Sequence, residues 1–338
     1  MILKIALLIA ALLLPILPAR AEKYVLIGSC EGLIAFAQGV ESGEMTDAHA
    51  LLTADIEITR PLSPIGDAAH PFAGTFDGQG HTLSGGVITG AETAGLFGAL
   101  APEGAVRNLK LDGFIVQGAS YAGVLAGRCA GLIEDCAVTN SRASIFSREL
   151  WGTAAGALCG SLSGAARRCA ALACDVYSPA RSGGLAGQIA SGDMENCLFT
   201  GTVNCPSMGD APCGGLTGAI LYDGGLKNCL GGGTVSAPRA EYVGGIAGAL
   251  FGGAVDGCAF SGAVESSAKY MGEVSGWCAD RAQIAACRHD GASRPIGRGE
   301  GSCRPLARGD LSTEAAISLI FRTSARLSGE TVDFAPQL

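Results

Sequence analysis

The feature that most constrains this chain is a unit of about thirty residues that recurs along most of its length. The segment GGLAGQIASGDMENCLFTGTV (183–203) returns with changes as GGLTGAILYDGGLKNCLGGGTV (214–235) and as GGIAGALFGGAVDGCAFSGAV (244–264). A regular period in this range indicates a repeat architecture in which each unit packs on its neighbours. Steps of 29, 33, 27, 31, 30 and 28 residues separate the last Gly of seven motif copies. The copies occupy 94–98, 123–127, 156–160, 183–187, 214–218, 244–248 and 272–276.

A second column of each repeat lies nine to eleven residues after that Gly, and holds Leu109 in the first copy and Cys in the six that follow. Apolar residues recur three positions before this column and two positions after it. One straight strand cannot bury both, because its side chains alternate between faces. Asn, Asp or Gly directly before the column predicts a bend there, since these residues tolerate unusual dihedrals. The cysteines are Cys136, Cys169, Cys197, Cys229, Cys258 and Cys287.

These patterns predict an all-β fold, a parallel, right-handed β-helix solenoid of about seven repeats. Each repeat reads as a short strand, a corner and a second short strand, with the Gly-rich motif as a further strand. Open solenoid ends need covers, and we expect an N-terminal capping helix over 29–40 with Ser29 as its N-cap, and a C-terminal helix over 310–327. The predicted division is a signal peptide (1–21), an N-terminal cap with the first coils (22–93), the repeats (94–290) and a connection with the C-terminal capping helix (291–338).

Composition and charge restrict the class of function. The first residues combine Lys4, an apolar run and Ala19-Arg20-Ala21, which is typical of a secretory signal cleaved after Ala21. We therefore expect a protein that is secreted or held at the cell surface, with the periplasm as the alternative, and no transmembrane segment after cleavage. The net charge of −8, or about −10 without Lys4 and Arg20, disfavours nucleic acid as a partner.

The placement of the 14 cysteines argues against a disulfide framework. In-register neighbours in a stack of coils seldom have disulfide geometry, so we expect the Cys column to be a row of buried thiols. Cys205 and Cys213 lie outside the column and flank a turn-like segment with Pro and Gly, which makes them the better disulfide candidates. The sequence has no CxxC and only 4 scattered His, so it predicts no metal site and no cofactor.

One stripe of side chains is a candidate ligand-binding site. Six residues before the last Gly of the motif lie Tyr121, Arg181, Pro212, Tyr242 and Tyr270. Stacking of the coils would place them along one edge, with Tyr121, Arg181, Tyr242 and Tyr270 as the binding side chains. Tyr and Arg are frequent anchors for partners, including sugars. The alternative is that the Tyr side chains only shield the edges of the Gly-rich strands.

The residues predict no catalytic constellation. The block FDGQGHTL (76–83) is interpreted as a turn before a strand. Acidic residues such as Asp135 and Asp256 are scattered along the repeats, whereas a glycosidase needs two facing carboxylates and a lyase needs clustered acids beside a base. The tripeptide Arg-Gly-Asp at 308–310 matches an integrin-binding motif, but its Asp is also suited to cap the C-terminal helix.

Several segments carry a resemblance to a known family. LTADIEI (52–58) and GTFDGQGHTLSG (74–85), followed by AGLFG, resemble the start of bacterial GLUG-motif repeat proteins, and the Asn-Cys pairs at 196–197 and 228–229 resemble their repeats. The resemblance covers roughly residues 24–290 and implies an exported or surface-exposed, adhesin-like β-helix. Similar regions accompany zinc metallopeptidases that cleave immunoglobulin A. This sequence lacks HExxH, so the resemblance implies no peptidase activity.

Together these features favour a non-catalytic β-helix that serves as an adhesive or ligand-binding surface module, with a glycan or a host or cell-surface protein as its partner. One alternative is a carbohydrate-active enzyme on the same fold, either a polysaccharide lyase or a glycoside hydrolase. Two acidic side chains within about 10 Å of each other in a groove would favour it. The other alternative is a purely structural spacer.

Overall fold

A computed structural model describes residues 24–147, 152–206, 209–289, 295–299 and 303–305. The fold is an all-β parallel β-solenoid of about 9 turns with 5% helix, which confirms the predicted class. The predicted count of seven repeats is too low, because coils form before the first Gly-rich motif. The signal peptide (1–21), the C-terminal helix (310–327) and the tripeptide at 308–310 lie outside the described residues.

The described strands are numbered in chain order. The first are β1 (Tyr24–Ile27), β2 (His49–Leu52), β3 (Ile56–Glu57), β4 (Thr75–Asp77), β5 (Thr82–Ser84), β6 (Val87–Gly90), β7 (Thr93–Ala94) and β8 (Phe97–Leu100). Next come β9 (Ala105–Arg107), β10 (Lys110–Asp112), β11 (Ile115–Gly118), β12 (Tyr121–Gly123), β13 (Ala126–Cys129), β14 (Leu132–Glu134), β15 (Ala137–Thr139), β16 (Arg142–Ile145), β17 (Ala154–Gly156), β18 (Cys159–Leu162), β19 (Ala165–Arg167) and β20 (Ala170–Tyr177).

The later coils continue this numbering. They contain β21 (Arg181–Gly183), β22 (Ala186–Ile189), β23 (Asp193–Glu195), β24 (Leu198–Asn204), β25 (Cys213–Gly214), β26 (Thr217–Ile220), β27 (Gly225–Lys227), β28 (Leu230–Ser236), β29 (Tyr242–Gly244), β30 (Ala247–Leu250), β31 (Ala254–Asp256) and β32 (Ala259–Glu265). The last are β33 (Tyr270–Gly272), β34 (Ser275–Cys278), β35 (Gln283–Ala285), β36 (Cys287–His289), β37 (Ile296–Arg298) and β38 (Cys303–Pro305).

Equivalent strands of successive coils pair into four parallel sheets. Sheet A follows the order β1-β2-β4-β9-β14-β19-β23-β27-β31-β35, and sheet B follows β3-β5-β10-β15-β20-β24-β28-β32-β36-β38, with β6, β11 and β16 alongside. Sheet C follows β8-β13-β18-β22-β26-β30-β34-β37, and sheet D follows β7-β12-β17-β21-β25-β29-β33. One coil therefore passes through sheets D, C, A and B in turn, and each residue lies beside its equivalent in the next coil.

The bend before the Cys column is present and lies between sheets A and B. Asn108, Asp135, Asn196 and Asn228 have φ angles of 51–55° there, and Gly257 has a φ of 63°. This left-handed conformation is tolerated best by Asn, Asp and Gly, which explains the sequence pattern. Two further residues that the pattern did not single out adopt the same conformation, namely Arg168 and Ala286.

The Gly-rich motif was predicted as a strand, and that prediction is wrong: the motif is the corner between sheets D and C. Strand β12 ends at Gly123 and β13 begins at Ala126. A Cβ on Gly123 would lie 2.4 Å from Cα of Cys159, and one on Gly127 would lie 2.9 Å from the amide nitrogen of Ala94. The two sheets therefore pack backbone against backbone, a distance that only glycine allows.

The predicted N-terminal cap is helix α1 (Cys30–Glu41). Ser29 is its N-cap, and its hydroxyl accepts a hydrogen bond of 3.2 Å from the amide of Gly32. Phe36 is buried and its ring centroid lies 5.8 Å from that of Phe72 and 6.0 Å from that of Phe76. The apolar face of the helix thus covers the aromatic end of the solenoid core.

An ion pair explains why Arg168 stands in the corner column. Its guanidinium donates to both carboxylate oxygens of Asp135, one coil earlier, at 2.7 and 2.8 Å, and contacts Glu134 at 2.8 Å. The side chains of Arg168 and Asp135 are only 27% and 22% exposed. The contact is bidentate and partly shielded from solvent, and so is stronger than an ordinary surface ion pair.

We predict that Arg168→Ala lowers the free energy of unfolding by about 1–2 kcal/mol, because Asp135 and Glu134 lose their shared cation. Urea denaturation at neutral pH measures the change. The matched control is Arg167→Ala, which removes the neighbouring, exposed guanidinium. Equal losses in the two variants would contradict the assigned role of the Arg168 pair.

Candidate functional site

The four residues of the predicted stripe lie in one column of sheet D. Tyr121 pairs with Ala154, and Ala154 pairs with Arg181. The next pairings place Pro212 after Arg181 and Tyr242 after Pro212. Tyr242 pairs directly with Tyr270. Coil stacking therefore brings together side chains that are about thirty residues apart in the sequence.

A second column, on sheet C, faces this one across the Gly-rich corner. Its members follow the last Gly of a motif, or Gly297 in the last described coil, by one position, and register places them in line: Ala99, Arg128, Ser161, Gln188, Ala219, Ala249, Trp277 and Arg298. The columns touch, since the Arg128 guanidinium carbon lies 4.4 Å from the ring centroid of Tyr121. We call the two columns together the C/D face.

The late coils of the C/D face carry an aromatic cluster, formed by Tyr242, Tyr270, Trp277 and Phe251. The rings of Tyr242 and Tyr270 are stacked at 5.4 Å with 7° between their planes. The ring of Trp277 lies 5.7 Å from Tyr242 and 5.0 Å from Phe251, the latter edge to face. All four side chains are partly exposed. Trp277 was not among the predicted stripe residues, although its place directly after Gly276 could have indicated it.

Cations surround the outer ring of this cluster. The Lys269 ammonium lies 4.8 Å and the Arg298 guanidinium carbon 5.5 Å from the ring centroid of Tyr270. Arg298 also donates a hydrogen bond of 3.1 Å to the phenol oxygen of Tyr270. Hydrogen bonds from Lys269 and then Arg298 hold the pKa of Tyr270 below its ordinary value, whereas burial raises the pKa of Tyr242. The cluster therefore presents polarised phenols together with positive charge.

The cysteines of the predicted column are all buried. Each described thiol in it lies close to the carbonyl two residues earlier, as in Cys136 to Glu134 at 3.2 Å and Cys229 to Lys227 at 3.4 Å. The amide of Cys197 lies 3.5 Å from Sγ of Cys229, the thiol one coil later. Burial raises the pKa of Cys197 well above its ordinary value. The arrangement suits protonated thiols that fill the inside of the corner.

Cys205 and Cys213 lie close together, as their suggested pairing requires. Both are buried, and a hydrogen bond with Cys205 raises the pKa of Cys213. Their pairing as a disulfide stays a prediction.

The block at 76–83 acts as a structural turn. Asp77 accepts hydrogen bonds from the amide of Gln79 at 2.9 Å and from the side chain of Asn108 at 3.1 Å. The ring of His81 contacts Asp55 at 3.1 Å, and the amide of Thr82 donates to the same carboxylate oxygen. These carboxylates are thus engaged in holding neighbouring coils together.

The described residues contain no group of three or more His, Cys, Asp or Glu arranged to hold a metal ion. An open groove of about 460 Å³ lies beside sheet B near the N-terminal end, lined by the segment 58–63 with Gly85, Val87 and Thr89. Its single ionisable side chain is Arg60, so it brings no pair of carboxylates together. In the part of the chain that the structure describes, no helix is long and apolar enough to cross a membrane.

Comparison with known proteins gives partial matches. No model of a protein family matches the chain. A stretch of 102 residues, 27% of this chain, is 37% identical to a candidate Gly-rich membrane protein of Evansella cellulosilytica. A stretch of 83 residues, 24% of this chain, is 35% identical to halomucin of Haloquadratum walsbyi. The chain spans only 12% and 1% of the lengths of these two relatives.

The solenoid also has a counterpart among solved structures. The crystal structure of a candidate immunoglobulin A1 protease from Bacteroides ovatus aligns over 87% of this chain and 86% of that chain, with a TM-score of 0.56 and 18% sequence identity. An identity this low shows a common fold and nothing further. The β-helical fold that the resemblance to GLUG-repeat proteins implies is thus confirmed, whereas membership of that family stays a prediction.

We predict that the six cysteines of the column react with maleimide after denaturation whether or not the protein is first reduced. In-register neighbours of a parallel stack seldom pair, because their Cα–Cβ bonds run side by side and hold the Cβ atoms about 4.8 Å apart, beyond the usual range of roughly 3.5–4.5 Å in a disulfide. Mass spectrometry counts the adducts. The native protein is the control, and it should label at few sites. A deficit of two adducts in the unreduced sample would show a disulfide, with Cys205 and Cys213 to be examined first.

We also predict that a Lys269→Met/Arg298→Met variant raises the pKa of Tyr270 towards the ordinary tyrosine value of about 10. The sign follows from the cations, which favour the phenolate in the folded protein and are absent from the variant. Site-resolved NMR of labelled tyrosines follows the titration. The matched control is Arg107→Met, which removes an exposed cation of sheet A and should leave the Tyr270 titration unchanged. An unchanged Tyr270 titration in the double variant would refute the proposed role of the cations.

Proposed function

We propose that this chain is an extracellular, non-catalytic binding module whose ligand surface is the C/D face. The aromatic cluster is the observation that carries this proposal. Large aromatic side chains that remain partly exposed and lie next to cations are typical of recognition surfaces. Seven of the 11 Phe are fully buried in the core, whereas the four rings of the cluster are partly exposed and lie in contact with one another.

The arrangement of the cluster favours a ligand that runs along the solenoid axis. Tyr242 and Tyr270 belong to successive coils, and Trp277 and Arg298 extend the same surface by another coil. Coils repeat every ~4.8 Å, so the face from Tyr121 to Tyr270 extends for roughly 24 Å. A linear glycan matches such a ladder of regularly spaced aromatic and polar groups. A cell-surface protein is the other partner that a face of this kind can bind.

Placement outside the cell is supported by the relatives. Segments of the chain are similar to segments of halomucin and of a membrane protein, and the N-terminal sequence is typical of a secretory signal. The GLUG resemblance, which implies an adhesin-like surface protein, points in the same direction. We therefore propose that the C/D face meets its ligand at or beyond the cell surface.

We predict that the wild-type chain binds members of a glycan array and that Tyr242→Ala/Tyr270→Ala loses this binding, because the stacked rings form the contact surface. The matched control is Tyr177→Ala, which removes an exposed tyrosine from sheet B. Circular dichroism and thermal unfolding verify that the variants remain folded.

Other outcomes would replace the proposal. Binding that survives the double substitution would remove the aromatic cluster from the site. Release of reducing ends from a bound polysaccharide would favour the carbohydrate-active enzyme. Failure to bind any glycan or cell-surface protein would leave the structural spacer as the function.

A further inference from the structure

Two buried polar atoms on the C/D face have no hydrogen-bond partner among the described residues: Nε of Arg181 and Oε1 of Gln188. Gln188 is 6% exposed, and its amide nitrogen donates to the hydroxyl of Ser161 at 3.0 Å. Arg181 is half-buried. A buried donor and a buried acceptor without hydrogen bonds destabilise the fold, so their presence on this face requires an explanation.

The two residues face each other across the C/D face. Arg181 holds the position in its coil that Tyr121 holds two coils earlier, and Gln188 holds the position of Arg128. The side chains of Tyr121 and Arg128 are in contact in their own coil. The register therefore places Arg181 and Gln188 on adjoining columns of one coil, midway between Tyr121 and Tyr242, and one carries an unpaired N–H donor while the other carries an unpaired oxygen acceptor.

We propose that Arg181 and Gln188 form a hydroxyl-binding subsite for a neutral glycan. This inference rests on the proposed function of the C/D face and names the class of ligand. One ligand hydroxyl accepts a hydrogen bond from Nε of Arg181 and donates its own hydrogen to Oε1 of Gln188. Because both atoms are covered in the unliganded state, this binding requires the outer part of the Arg181 side chain to shift while its Nε hydrogen stays directed at the hydroxyl.

The hydrogen-bonding capacity of the two unpaired atoms determines which ligand groups fit between them. A carboxylate, sulfate or phosphate can only accept, and would place a negative oxygen against Oε1 of Gln188. An ammonium can only donate, and would leave the Nε hydrogen of Arg181 unpaired. A hydroxyl does both, and in the free protein a water molecule can do the same. Sugars present hydroxyls at regular intervals, whereas anionic polymers do not suit this position.

The neighbours of the subsite agree with a sugar bound along the face. The next two positions after Gln188 in its column are Ala219 and Ala249. Their small side chains protrude little from sheet C beside Tyr242. Tyr242 lies two coils beyond Arg181, roughly 10 Å along the axis at the spacing of parallel strands. A chain of several sugar units can therefore reach the subsite and the aromatic cluster together.

The test uses the full chain and defined probes: maltohexaose, cellohexaose, xylohexaose and mannohexaose as neutral ligands, and polygalacturonate as the anionic one. Titration calorimetry measures the affinity for the neutral hexasaccharide that binds best. Arg181→Leu and Gln188→Leu should each weaken binding about tenfold, by removal of one buried hydrogen bond. The matched controls Arg107→Leu and Gln117→Leu, at exposed positions of sheets A and B, should leave the affinity unchanged.

The outcomes separate this inference from the proposed function. If Tyr242→Ala/Tyr270→Ala abolishes binding while Arg181→Leu and Gln188→Leu do not alter it, the two orphan atoms hold a structural water only, and the subsite is refuted while the binding function stands. Binding of polygalacturonate alone also refutes the hydroxyl subsite. Failure of the wild-type chain to bind any of these probes overturns the subsite, whereas the proposed function is overturned only if the glycan array and cell-surface proteins also give no binding. Arg181→Leu, at a half-exposed position, decides the matter even if Gln188→Leu does not fold.

Discussion

The parallel hydrogen-bond ladder between successive coils is the interaction on which every other property of this structure depends. It sets each residue beside its equivalent in the next repeat, so that one position in the sequence unit becomes a line of side chains. Lines of thiols, of corner residues and of aromatic rings all follow from it. The ladder also explains the high glycine content, because sheets C and D approach so closely that a Cβ on Gly123 would overlap the backbone of the next coil.

Much of the fold could be predicted from the sequence, because each position of the repeat unit occurs several times, and the residue types found there indicate whether it is buried, exposed or at a bend. The Gly-rich motif occurs seven times and the aligned cysteines six times, so features common to all coils could be distinguished from those of single coils. The bend before Cys136 was predicted correctly, since Asp135 and its Asn equivalents have a known tolerance for positive φ. The prediction that the motif is a strand was wrong. Its small residues indicate close packing of backbones, but they do not distinguish a single strand from a corner at which two sheets meet.

The candidate site was predictable only in part, for a related reason. Tyr121, Arg181, Tyr242 and Tyr270 recur at a fixed place in the unit, and register alone aligns them. Trp277 and Gln188 belong to a column in which the residue type changes from coil to coil. No recurring residue type therefore indicated this column in the sequence. The unpaired atoms of Arg181 and Gln188 are a property of packing and could not be read from any pattern.

The ion pair between Arg168 and Asp135 has a consequence for assembly of the coils. Three repeats of this chain, starting at residues 183, 214 and 244, are so alike that each could stack on another in the wrong order. Asp135 and Arg168 are complementary only when their two coils are adjacent, and Glu195 with Lys227 marks the following pair of coils in the same way. A chain that skipped a turn would bring Asn196 against Asp135 and leave Arg168 without its carboxylates. Charge thus favours the native order of these turns, because a winding that separates Asp135 from Arg168 or Glu195 from Lys227 loses an ion pair.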